Sequence, residues 1–120
     1  MLTSELPIYR TTQRLYRLIR ERVIHFPSID KYTIGEKMLN ATMDIVGSIC
    51  MANNNIRDRY ETLNYMQSDY VQLQFMLREC FCARLFNEKA YADILEVMDA
   101  LGKQITGWKQ ATYKNNNSPR

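Results

Sequence analysis

The chain has 120 residues with 46% apolar side chains, seven methionines, eight tyrosines, four glycines and three prolines. That length supports one hydrophobic core rather than two, and the composition excludes a disordered or loop-dominated chain in favour of a helix-rich one. A formal net charge of +3 is modest, so a polyanionic partner has to be argued from where the charges fall and not from their total.

The opening residues, MLTSELPIYR, carry no apolar run of signal-peptide type, and no segment is long and apolar enough to span a bilayer. A cytoplasmic protein without membrane contact is therefore expected. The first helix is predicted over 7–25: Pro7 suits an early helical position, and Ile8, Thr12, Leu15, Ile19 and Val23 recur along one face. It should stop at "HFP", because the residue before Pro27 is pushed out of helical space. Ser28, Asp30 and Thr33 then offer side-chain oxygens to a new helix over 33–53, where Thr33 and Glu36 have the spacing of a capping box. Its stripe is Ile34, Met38, Ala41, Ile45, Ile49 and Ala52.

Asn53, Asn54 and Asn55 read as a turn, since asparagine tolerates left-handed backbone angles. A third helix over 56–86 follows, with Ile56, Tyr60, Leu63, Met66, Tyr70, Leu73, Leu77 and Cys80 in its stripe. Within it "VQLQF", residues 71 to 75, alternates like a strand, yet it fits the three-four spacing around it and has no turn residues beside it. Asn87 should cap the last helix, 88–112, whose apolar face is Tyr91, Ile94, Leu95, Met98, Leu101, Ile105 and Trp108. Residues 113–120 should form a loose polar tail. Four helices with short connections and no internal repeat predict an all-α, antiparallel up-down-up-down four-helix bundle in a single domain.

Two surfaces stand out. In "VQLQFMLRECFCARLF", residues 71 to 86, Phe75, Met76 and Cys82 fall off the core stripe, and a helix apolar on several sides is expected to be covered on several sides. These three are the candidate oligomer interface. The first helix holds Arg10, Arg14, Arg17, Arg20 and Arg22 against Glu21 alone. Arg10, Arg14 and Arg17 project along one ridge opposite Ile8, Leu15 and Ile19, and with Arg20 they make the candidate nucleic-acid or partner surface, because forked guanidinium groups spaced along a rod suit phosphates.

Catalysis finds no support. His25 stands alone in a break, with no nucleophile at a matching spacing, and reads as a loop or cap residue. Cys80 and Cys82 point to different helix faces and lack two further zinc ligands, so no metal and no cofactor are expected. The three cysteines read as reduced thiols. Gly35, Gly47, Gly102 and Gly107 are isolated within helical runs and form no phosphate loop; they suit close helix contact.

"FPSIDKYTIGEKM", residues 26 to 38, followed after the third helix by "LGKQITGWKQ", residues 101 to 110, resembles the accessory variability determinant family of diversity-generating retroelements. The likeness runs from Pro7 to Thr112 and lies in the order of features rather than in one motif. Broader relatives are the 23S-rRNA intervening-sequence bundle proteins, from which "NATMDIVGSICMAN", residues 40 to 53, departs. The resemblance implies a homopentameric ring with a positive surface, a non-catalytic accessory that binds reverse transcriptase and RNA or DNA during mutagenic copying. The alternative it leaves open is a structured-RNA-binding module with no polymerase partner.

Overall fold

A computed structural model describes residues 1–117 of the chain. Four long helical rods carry nearly all of it, and among the described residues there is no strand. After one 3-10 turn at Thr3–Glu5, α1 (Pro7–Val23) starts with its proline in the first turn, where the missing N–H costs nothing. Ile8, Thr12, Leu15, Ile19 and Val23 are all buried, as the spacing predicts, and the Thr12 hydroxyl is satisfied by the Ile8 carbonyl at 2.8 Å.

The second rod differs at its start. α1 ends at Val23 rather than 25, and the next helix begins at Ser28, not at Thr33. Pro27, extended at φ −52° and ψ 148°, supplies the first acceptor: its carbonyl takes the N–H groups of Asp30 and Lys31 at 3.0 and 2.9 Å. A helical turn, α2 (Ser28–Asp30), runs through a π-helical turn at Lys31–Gly35 into α3 (Glu36–Asn54). Thr33 therefore caps nothing. Its hydroxyl donates back to the Ile29 carbonyl at 2.6 Å inside the π turn, so the expected capping box with Glu36 is absent. The extra residue in this turn lets Gly35 sit against α1, where a Cβ would come within 2.7 Å of Val23 Cγ1.

Asn53 and Asn54 continue the helix, contrary to the expected turn, and only Asn55 leaves it, with φ −128°. The chain reverses over 55–58, where Asn55 Oδ1 accepts the Asp58 N–H at 3.3 Å. Arg59 closes the end of α3 from beyond the turn. Its Nε donates to the Ala52 carbonyl at 2.6 Å and a terminal nitrogen to the Asn53 carbonyl at 3.3 Å, while the guanidinium lies 5.6 Å from the Trp108 ring centroid. α4 (Arg59–Cys82) consequently starts three residues later than 56, and Ile56 is exposed in the connection instead of heading a core stripe. Residues 71 to 75 are helical, with Leu73 fully buried.

α4 stops at Cys82, short of 86, in a Schellman cap: Leu85 N–H donates to the Cys80 carbonyl at 2.9 Å and Arg84 N–H to the Phe81 carbonyl at 3.0 Å. The motif needs a left-handed residue, and Arg84 occupies that position at φ 62°. Replacing the exposed Arg84 with glycine should stabilise the fold by about 0.5–1 kcal/mol, because the Cβ strain outweighs the extra freedom glycine gives the unfolded chain. A urea midpoint that does not rise would show that the left-handed turn is unstrained.

α5 (Glu88–Asn117) is capped as expected, the Ala90 N–H reaching Asn87 Oδ1 at 2.8 Å. It continues through 113 to Asn117, so the part of the expected tail that is described is helical; 118–120 lie outside the described residues. On its inner face Leu95, expected in the apolar stripe, is exposed, and Val97, not placed in that stripe, is buried, since Leu95 falls one step outside the 97, 98, 101, 105 arc.

The rods make a bundle measuring 55 × 21 × 20 Å. α1 packs on α3 and α5, and α4 packs on α3 and α5, so each rod has two neighbours around a shared core. Leu15, Ile19, Met38, Ile45, Ile49, Leu63, Met66, Leu73, Leu77, Ile94, Met98 and Leu101 are almost wholly enclosed there. Burying such a side chain contributes roughly 1.5–3 kcal/mol, which dominates the favourable side of folding.

Candidate nucleic-acid and partner surfaces

Arg10, Arg14 and Arg17 are exposed along the outer side of α1, on the side away from Leu15 and Ile19. Together with Arg20 they make no ion pair and no side-chain hydrogen bond among the described residues. The exposed i,i+4 pairs Lys89 with Asp93 and Lys103 with Asp99 lie on α5, away from this ridge. The arginines are thus held in position by the helix alone, with their donors turned to solvent. Arg20, also exposed, lies about a quarter-turn from the ridge by helix geometry, and with Arg22 it sits in the last turn of α1, where a cation complements the helix dipole. Glu21 follows Arg17 by four residues and so enters the same sector, which breaks the positive ridge at that end.

The α4 surface is only partly as expected. Phe75 is 64% exposed on the outside of the bundle and Cys82, seven residues on, is exposed on the same face. Met76 is instead half-buried and packs against the core. Val71, one turn before Phe75 on the same helix face and 54% exposed, lies beside Phe75 instead.

Two grooves were not anticipated. Tyr9, Gln13, Tyr16, Thr42, Met43 and Val46 line an almost wholly apolar groove of about 220 Å³ between α1 and α3. A larger one, about 590 Å³, lies between α4 and α5 beside Tyr60, Gln67, Thr106, Lys109, Gln110, Tyr113 and Lys114. In it Lys109 Nζ stands 5.8 Å from the Tyr60 ring centroid and donates to Gln67 Oε1, and the Tyr60 and Tyr113 rings meet at 5.9 Å. The polar spacing 106, 109, 110, 113 carried this stripe in the sequence, but part of it fell in the segment assigned to a loose tail.

The thiol of Cys80 is pushed up to about 12 by burial first and then by Asp30 and Glu79, which leaves it a small core group 3.9 Å from the Met38 sulfur. On the α3–α4 flank, burial and then the Asp44 carboxylate raise the Asp69 carboxyl above its ordinary value. A raised acid binds its proton more tightly when folded, so stability falls as pH climbs through the carboxyl range and the penalty is complete at neutral pH. Asp69→Asn should accordingly stabilise the fold at pH 7, by under about 1 kcal/mol because the group is partly solvated, and the accompanying rise in melting temperature should fade below about pH 4. A gain independent of pH would assign the effect to something other than charge.

Among the described residues no group of three or more His, Cys, Asp or Glu side chains is placed to hold a metal ion, and His25 is exposed in the turn after α1. The model of a protein family described as bAvd-like matches residues 6–112. No curated protein matches the chain.

Proposed function

The chain belongs to the bAvd-like family, and from that premise we propose that it is a non-catalytic accessory subunit of a diversity-generating retroelement, one that holds the reverse transcriptase and its RNA or cDNA together during mutagenic copying. The observation that carries the reading is the ridge of Arg10, Arg14 and Arg17, exposed and without acidic partners on a chain whose net charge is only +3. Guanidinium groups without internal partners lose little when they exchange water and counterions for phosphate.

Assembly into a ring, a pentamer by the family resemblance, belongs to the same proposal. A closed ring needs two unlike surfaces that fit each other. Val71 and Phe75 on α4 offer a projecting apolar pair, and the α1–α3 groove beside Tyr9, Tyr16, Met43 and Val46 offers a concave one. An up-down-up-down course of the rods is supported by the reversed order of the α4–α5 contacts, in which Tyr60 meets Tyr113, Tyr70 meets Met98 and Phe81 meets Tyr91. Repetition of the ridge around an axis would multiply phosphate contacts without any new chemistry. We place the protein in the cytoplasm with its polymerase, which accords with three free cysteines and with the lack, among the described residues, of a helix long and apolar enough to cross a membrane.

Co-expression with a retroelement reverse transcriptase from the same genome tests the proposal. The tagged chain should retain the enzyme on a column and carry nucleic acid that salt removes. Nucleic acid without the enzyme would select the structured-RNA module instead, and retention of neither would end both readings.

A further inference from the structure

We propose that the groove between α4 and α5 binds an unpaired nucleotide, its base stacked on Tyr113 and its phosphate held by Lys109. This rests on the nucleic-acid reading above and adds to it the state of the strand that is recognised.

The two helices close on each other over most of their length. Phe81 and Tyr91 stack with centroids 4.3 Å apart, and the Tyr70 hydroxyl donates to the Met98 carbonyl at 2.8 Å. Gly102 leaves the room for Tyr70, since a Cβ there would stand 2.5 Å from the hydroxyl oxygen. Past that point, toward Tyr60 and Tyr113, the seam opens into a groove whose walls are tyrosine, glutamine, threonine and lysine. Its volume of about 590 Å³ falls in the range typical of small-ligand sites, roughly 300–1,000 Å³.

The wall chemistry fits a nucleotide part by part. Tyr113 is 54% exposed, and a tyrosine ring presented to solvent is a platform for a base of any sequence. Gln67, Gln110 and Thr106 supply donors and acceptors for base edges. Lys109 has three N–H donors, of which Gln67 Oε1 takes one, so the ammonium keeps hydrogen-bonding capacity for a phosphate. Among the described residues, no aspartate or glutamate lines the groove to repel it. Paired bases keep their faces inside the duplex stack, so this arrangement selects an unpaired one.

Fluorescence anisotropy with a labelled oligouridylate of about 12 nucleotides, beside a duplex of the same length, tests the assignment on the full chain. Tyr113→Ala should weaken the oligouridylate complex on the order of tenfold and leave the duplex complex within about twofold, while Tyr113→Phe keeps native affinity. Lys109→Gln should also weaken the single strand, whereas alanine at Arg10, Arg14 and Arg17 together should weaken strand and duplex alike. Circular dichroism confirms that each variant is folded. The proposal is overturned if Tyr113→Ala and Lys109→Gln both bind oligouridylate as the native chain does, or if they lose strand and duplex equally. Uridine monophosphate, titrated against the native chain by tyrosine fluorescence, separates the sources: micromolar binding assigns the groove to a free nucleotide, and binding by the strand alone assigns it to nucleic acid. Should the native chain bind no polynucleotide at all, the reading of the previous subsection fails by itself, and the absence of a monophosphate signal as well would sink the groove.

Discussion

Phe75→Asp is expected to leave a folded monomer of 14.2 kDa in place of the proposed ring. Phe75 is 64% exposed and faces away from the core, so the substitution removes little packing within the subunit, and exposed changes of this sort usually move stability by about 0.5 kcal/mol or less. At a closed interface the same carboxylate would lose its water without gaining a partner, at a cost of roughly 3–5 kcal/mol for each contact. That is on the order of a hundredfold or more in each association constant. Light scattering at micromolar concentration reads the outcome directly. A native mass of 14.2 kDa would end the ring hypothesis. A variant that keeps the native mass would clear α4 of the interface, and Met43→Asp, in the α1–α3 groove, then becomes the substitution that must dissociate the assembly if apolar contacts hold it.

How much of this molecule could be read from its sequence depends on whether the determining interaction is local. The stripe of α1 is reproduced residue for residue, because burial on one face of a helix needs only the 3.6-residue period. The starts and stops are less legible. Thr33 and Glu36 have the spacing of a capping box, but Pro27 fixes its own backbone in an extended form and offers its carbonyl six residues earlier, so the helix has already begun. The asparagine run looked like a turn, yet Arg59 reaches back to the carbonyls of Ala52 and Asn53 and holds α3 together through Asn54. Nothing adjacent in the sequence marks that contact. Arg84 in a left-handed position is likewise set by the Schellman geometry around it and not by its own preference.

The candidate surfaces divide the same way. Arg10, Arg14 and Arg17 were readable because a ridge on one helix follows from spacing. The α4–α5 groove was not, because its walls come from segments some forty residues apart, as in the contact of Gln67 with Lys109, and because Tyr113 and Lys114 on its α5 side fall in the segment expected as a loose tail. Met76 shows the limit of a stripe: a residue just off the central line of a bundle helix still meets a neighbouring rod, and here it packs against the core.

Alanine at Arg10, Arg14 and Arg17 together is expected to weaken RNA or DNA binding by roughly a hundredfold or more near physiological salt and to flatten the dependence of log affinity on log salt by about two to three units for each subunit in contact, since each arginine lost leaves one set of counterions unreleased. The bundle should remain intact, because all three side chains are exposed and none forms an ion pair that holds the helices. Sequence preference should not change, as phosphate contacts position a strand without reading it. Two rival accounts give other patterns. If the ridge is only a solvated face, neither affinity nor polymerase retention moves; if it docks the polymerase, retention is lost while affinity and its salt slope hold. Glu21 sharpens the comparison. It shares the sector of the ridge, so Glu21→Gln should strengthen binding severalfold and steepen the slope if phosphates run along that line. A triple variant with the native salt slope, or a Glu21→Gln variant with no gain, would remove α1 from the nucleic-acid interface.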